Sequence, residues 1–321
     1  MADDYIYAVA RVRCKELELL SSQDIDQLMA SLDYDSCIKL LQDKGWGDGN
    51  VSGGEKLLSL ENEKTWSFIR ELTTDLSAFD ILLLPIDFNN LKAVIKSVAT
   101  DTEPQDVFVS GGAVPVDTMQ KAIREKDYGL LPDNMRQAAE TAHVTMLQTN
   151  DGQLCDALLD RACLYGIMEC GDKSENELLK DYAELSVAIA DIKIAVRSCK
   201  THKNLAFIGS SIAPCRTLDA GRLIKAASQS LEELFVYLSV TPYAAAAEML
   251  KQSYSAFEKW CDDKIMSLIK DQKRNPFSIG PLFAYVLGRQ NEIKMVRIIL
   301  SSKLNQLDDR VIRERLRDMY V

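Results

Sequence analysis

Histidine is nearly missing from this sequence: its 321 residues hold only His143 and His202. Imidazole is the usual metal ligand and proton carrier near neutral pH. A histidine-rich metal centre is therefore excluded, and a nucleophile–base pair would have to use one of these two side chains. No motif sets one up around either. Close cysteine pairs are missing as well. The eight cysteines, at 14, 37, 155, 163, 170, 199, 215 and 261, include no CxxC, whereas zinc sites use four ligands and usually one tight pair. Cys155, Cys163 and Cys170, seven or eight residues apart, read as core thiols along one helical face. With no secretory signal at the start, this cysteine usage predicts a reducing, cytoplasmic setting.

Long apolar runs are absent too. The densest aliphatic stretch, ILLLP at 81–85, falls far short of the ~18 residues that cross a bilayer, so no direct membrane span is expected. A net positive charge is missing: 48 Asp and Glu outnumber 38 Lys and Arg, and the resulting −10 argues against nucleic acid as a partner. The exception is the segment 289–321, which carries +3 and leaves −13 on the rest. No stretch alternates at period two for long, so the expected fold is all-α. The segment GNVSGGEK at 49–56 resembles a phosphate loop only superficially: Glu55 precedes the lysine, and Leu57 stands where a hydroxyl is required. The GWGDG run beside it fails likewise as a dinucleotide fingerprint, and no cofactor is expected. The adjacent acids Asp262-Asp263 and Asp308-Asp309 would diverge on a helix and read as solvated caps.

What the sequence does have is self-similarity. The phrase NLKAVIKS, beginning at Asn90, returns as DIKIAVRS at Asp191 and as EIKMVRII at Glu292, at steps of 101 residues. The flanks repeat as well: VFVSGGAVPVDTM at 107–119 echoes AFIGSSIAPCRTL at 206–218, and SLDYDSCIKLL near the start is a third relative. Ser36, Thr118 and Thr217 then stand where helix N-caps belong. A period near 100 residues implies packed lobes rather than a thin solenoid. The expected organisation is helical repeats at 1–85, 86–186 and 187–288, with 289–321 finishing a long helix and adding a solvated basic terminal helix.

Reading along the chain, Ser22 is the expected cap of a short helix, and a glycine-rich loop covers 45–54. A helix over 61–79 carries Trp66, Ile69, Leu72, Leu76 and Phe79 on one face, and Pro85 separates it from the next. Leu154, Leu158, Ala162 and Tyr165 mark another helix, ending near Gly171. Ser174 sits at capping-box spacing from Glu177, opening a helix that runs to Cys199. The stretch 281–304 reads as a long amphipathic helix, burying Leu282, Tyr285, Val286, Ile293, Val296, Ile299, Leu300 and Leu304.

Each copy of the repeated phrase places two cations on a stripe beside its apolar face: Lys92 and Lys96, Lys193 and Arg197, Lys294 and Arg297. A solvated surface explains such stripes, and a partner-binding role is the functional alternative; threefold placement would aim them at a shared axis.

YAVARVR at Tyr7, PIDFNNLK at Pro85, DIK at Asp191 and above all FAYVLGRQNEIKMVRIILSSKLNQLDDRVIRERLRDMYV from Phe283 resemble the C subunit of the V/A-type rotary ATPases (ATP synthases), the family related to the d subunit of the eukaryotic vacuolar ATPase. The resemblance implies a three-lobed, pseudo-threefold helical funnel with no catalytic site of its own. It would seat on the proteolipid ring at the cytoplasmic face of the membrane and accept the central shaft subunits, coupling ATP turnover to ion transport. Two other readings stay open from the residues alone: a helical-repeat scaffold unrelated to rotary motors, and a small-molecule enzyme using His143 or a cysteine.

Overall fold

The computed structural model describes residues 5–49, 53–102 and 107–321. Among them are sixteen α-helices and no strand, the all-α architecture that the absence of period-two alternation implies. The chain divides into two compact units, Met1–Leu76 with Glu248–Val321, and Ser77–Ala247.

The first unit joins the two ends of the chain. It contains α1 (Ile6–Glu16), α2 (Ser22–Ala30), α3 (Tyr34–Asp43), α4 (Gly54–Leu72), α14 (Tyr254–Lys270), α15 (Gly280–Leu304) and α16 (Asp309–Arg315), while α13 (Ala244–Gln252) crosses the division. Its centre is α15. Ile293, Met295, Val296, Ile299 and Leu300 pack into one cluster with Leu28, Met29, Cys37, Leu41 and Leu57 from α2–α4. Each such aliphatic side chain taken from water stabilises the fold by about 1.5–3 kcal/mol. The sequence suggests one buried face for α15; instead its first ten residues are buried on every side, and Leu304 is exposed. A helix surrounded by others has no solvent face to make polar.

The second unit holds α5 (Asp80–Thr100), α6 (Val116–Glu125), α7 (Asp133–Thr149), α8 (Gly152–Lys173), α9 (Glu177–Lys200), α10 (Leu205–Ser211), α11 (Ala220–Gln229) and α12 (Leu231–Ser239). A tight α8–α9 hairpin organises it. At Gly171 a Cβ would lie 2.5 Å from the Cβ of Ala183, so only glycine permits that approach.

Several local expectations shift. The cap of α2 is Ser21, not Ser22, because Asp24 lies three residues after Ser21 and closes a capping box with it. Ser36, Thr118 and Thr217 are not caps: Asp33, Pro115 and Asp219 hold those positions. Thr217 instead bonds Glu184 (2.6 Å) and Tyr243 (2.8 Å). Asn176 rather than Ser174 caps α9, accepting from the Leu178 N–H at 3.0 Å. The helix expected over 61–79 stops at Leu72, and Pro85 lies inside α5 rather than before it. Buried Ile81, Leu82, Leu84 and Phe88 on either side hold that helix continuous despite the missing N–H.

The described part of the glycine-rich loop is fastened. Gly45 (φ 85°) ends α3 in a Schellman turn, with Trp46 N–H on Leu41 O and Gly45 N–H on Gln42 O. The phosphate-loop look-alike at 49–56 includes residues 50–52, which lie outside the described residues. The expected solvated terminal helix ends at Arg315, after which the chain packs inward. Arg317 reaches Asp262 at 2.7 Å, and buried Tyr320 donates to Glu16 at 2.9 Å. Asp262 and Asp263 are therefore not solvated caps but acceptors for this tail and for Lys294 and Lys259. Asp308 does cap α16.

Candidate functional site

The polar residue that opens each repeated phrase is buried. Asn90, Asp191 and Glu292 are each about 1% exposed, and each holds the backbone of a connecting segment. Asn90 donates to Val109 O (2.9 Å) and accepts from Val109 N–H (2.8 Å); Asp191 accepts from Ala213 N–H (3.1 Å); Glu292 accepts from Leu20 N–H. A buried N–H without an acceptor costs ~1–3 kcal/mol, so a side chain aimed at the segment fixes its path. The short helices reached through these segments bury matching triads: Ile25, Leu28 and Met29 in α2; Met119, Ala122 and Ile123 in α6; Leu223, Ala226 and Ala227 in α11. Sequence reading used these polar residues only as markers of the repeat. The available signal was their constant place directly before a core aliphatic, Leu91, Ile192 or Ile293, all buried as expected.

The three clasps differ in their electrostatics. Glu292 belongs to a buried ionic network: Arg289 bonds Glu292, Glu61 (2.5 Å) and Thr65 (3.5 Å), with its guanidinium 5.1 Å from the Trp46 ring centre. Glu61 also accepts from Gly47 N–H (2.8 Å) and Lys64 (2.7 Å), tying the glycine loop to α4 and α15. Burial pushes the Glu292 carboxyl upward, against the pull of Arg289. Asp191 has no such direct ion pair among the described residues. Burial lifts it to about 7, and the Ala213 N–H and the more distant Arg161 only partly offset this.

Beside the clasps lie the six cations of the stripe. Lys92 pairs with Asp160 and Lys96 with Asp156 (2.7 Å), both acids on α8. Lys294 pairs with Asp262 (2.5 Å) on α14, and Arg297 with Glu55 (3.2 Å) on α4. Lys193 and Arg197 on α9 have no carboxylate partner among the described residues. Together with Lys92 they edge a cleft of about 500 Å³ between α5, α8 and α9. Its apolar wall includes Ile81, Phe88, Leu164, Ile167 and Ile194. A half-open apolar channel with cations at one end suits an amphipathic, acidic ligand.

Among the residues considered for catalysis, His143, Cys155 and Cys163 are buried. His143 is buried, its Nδ1 3.0 Å from the Tyr128 hydroxyl, and burial, aided by Lys126, depresses its pKa. Burial raises the thiols of Cys155 to about 11 and Cys163 to about 12, far from the thiolate form a nucleophile needs. Cys170, expected in the core, is half-buried.

The family described as ATP synthase (C/AC39) subunit matches residues 8–315. The C subunit of the V-type sodium ATPase of Enterococcus hirae is 22% identical, with 96% of this chain aligned to 97% of that protein. The C subunit of the V-type ATP synthase of Thermus thermophilus is 23% identical over 93% of this chain and 94% of its own. The C subunit of the A-type ATP synthase of Methanocaldococcus jannaschii is 20% identical over 97% and 86%.

Proposed function

This chain belongs to the ATP synthase (C/AC39) subunit family, and from that premise we propose that it is the non-catalytic coupling subunit of a V/A-type rotary ATPase. In this reading it joins the central shaft subunits to the proteolipid ring from the cytoplasmic side, as a peripheral protein, so that rotation driven by ATP and ion flow through the ring stay linked. The three repeated helical segments would form the lobes of a funnel, and the six cations would serve its partner contacts. The observation that carries the reading is the family match along nearly the whole chain. Two features of the chain favour it over an enzyme: its only buried imidazole is bonded to a tyrosine, and the buried thiols of Cys155 and Cys163 are held protonated. No described helix is long and apolar enough to cross a membrane, in keeping with a peripheral seat.

The test is a pull-down on the tagged chain from detergent-solubilised membranes. Shaft and ring subunits should be recovered together, and less well as salt rises, because partly exposed charge pairs are screened. Recovery of neither set contradicts the proposal, and recovery with only soluble proteins favours an unrelated scaffold.

A further inference from the structure

We propose that the cleft between α5, α8 and α9 docks an amphipathic segment of a partner subunit, with apolar side chains along the channel and two carboxylates against Lys193 and Arg197. The inference rests on the functional reading above, since it needs the chain to work inside a complex. Its first support is a charge imbalance. The phrase that supplies Lys92/Lys96 and Lys294/Arg297 supplies Lys193/Arg197 too, yet only the α9 pair lacks an acid of its own among the described residues. Asp160 is the acid lining this cleft, and Lys92 already occupies it. The mouth therefore carries two uncompensated positive charges in a chain of net charge −10.

The second support is shape. Along α5 the lining runs from Ile81 to Lys92 and along α9 from Tyr182 to Arg197, while α8 returns from Ile167 to Asp160. The cleft is thus apolar at one end and cationic at the other. Eleven residues of helix rise about 16 Å, or three turns, enough for a partner helix to seat side chains at i, i+3 or i+4, and i+7. The apolar length would supply affinity, and the two cations would set direction and register.

Carbodiimide cross-linking of the detergent-solubilised complex, read by mass spectrometry, tests this directly, because the reagent joins an amine to a carboxylate only when the two are in contact. Lys193 should link to an Asp or Glu in a partner peptide whose apolar residues recur every three or four positions. Its acylation should be roughly tenfold slower in the complex than in the free chain, as for any surface protected by a docked segment. The double variant Lys193→Glu/Arg197→Glu should keep the free chain's circular dichroism, lose the link and weaken recovery of that partner about tenfold, the usual scale for a close charge pair. Equal Lys193 reactivity in free and assembled chain overturns the proposal, as does protection by lipid–detergent micelles without partner subunits. Recovery of no partner at all overturns the functional reading first, and is visible in the pull-down before any cross-linker is added.

Discussion

The helices α9 and α15 carry the same phrase and bury its first residue equally deeply, but they resolve the cost differently. In α15 the acid Glu292 is met by Arg289, which is shared with Glu61 and stacked on Trp46. In α9 the acid Asp191 has a backbone N–H and, among the described residues, no directly paired cation, and its proton stays on to about 7. The surface cations show the reverse contrast: Lys294 and Arg297 on α15 each find an acid, while among the described residues neither Lys193 nor Arg197 on α9 does. The backbone's need for an acceptor is what the repeat preserves here. What surrounds the acceptor, and what is left over for a partner, varies from copy to copy.

The sharpest way to break the comparison is Arg289→Met. It leaves Glu61 and Glu292 buried without their cation, and losing one member of such a network typically costs ~3–5 kcal/mol. Urea unfolding followed by circular dichroism should show that loss, and a change below about 1 kcal/mol would mean that water reaches the network. Next come Ile192→Ala and Ile293→Ala, which test where the two helices should agree. Both side chains are buried, and each truncation should cost ~2–5 kcal/mol. A cost at one position only would show that the two copies do not share a core role.

Asp191→Asn probes the difference through pH. The folded carboxyl titrates near 7 and the unfolded one near 3.8, so between those values the folded state holds more protons. Its contribution is fully present below about pH 4 and is lost as pH rises through 7. At about 1.4 kcal/mol per pH unit over the span from 3.8 to about 7, the loss is on the order of 4 kcal/mol. Asparagine can still accept from Ala213 N–H, as Asn90 does from Val109. The variant should therefore remove most of the decline in stability between pH 5 and pH 8, and an unchanged slope would place the titration elsewhere. The smallest effect is expected for Lys96→Ala and Lys294→Ala, whose pairs are partly exposed; each should change stability by no more than ~1 kcal/mol.

The all-helical fold was legible because its apolar spacing is strong, and Leu91, Ile192 and Ile293 could be picked as core from the repeat alone. The buried ions were not. Arg289 and Glu292 look like an ordinary i, i+3 surface pair, and only the aliphatic density of 282–300 hints that no solvent face exists. Capping erred wherever two hydroxyl or amide residues competed, as at Ser21 and Ser22 or Ser174 and Asn176, because the choice depends on which carboxylate or N–H the backbone brings within reach. The cleft depends on how α5, α8 and α9 come together. Periodicity along one helix does not report a contact between two.

The central claim is that the chain couples but does not catalyse. ATP hydrolysis and ATP-driven ion uptake, measured together in vesicles carrying the ATPase with and without this subunit, test it most directly. The account predicts that removing the chain abolishes uptake while hydrolysis by the remaining catalytic head continues, and that adding it back restores uptake. Undiminished uptake in its absence would contradict the account.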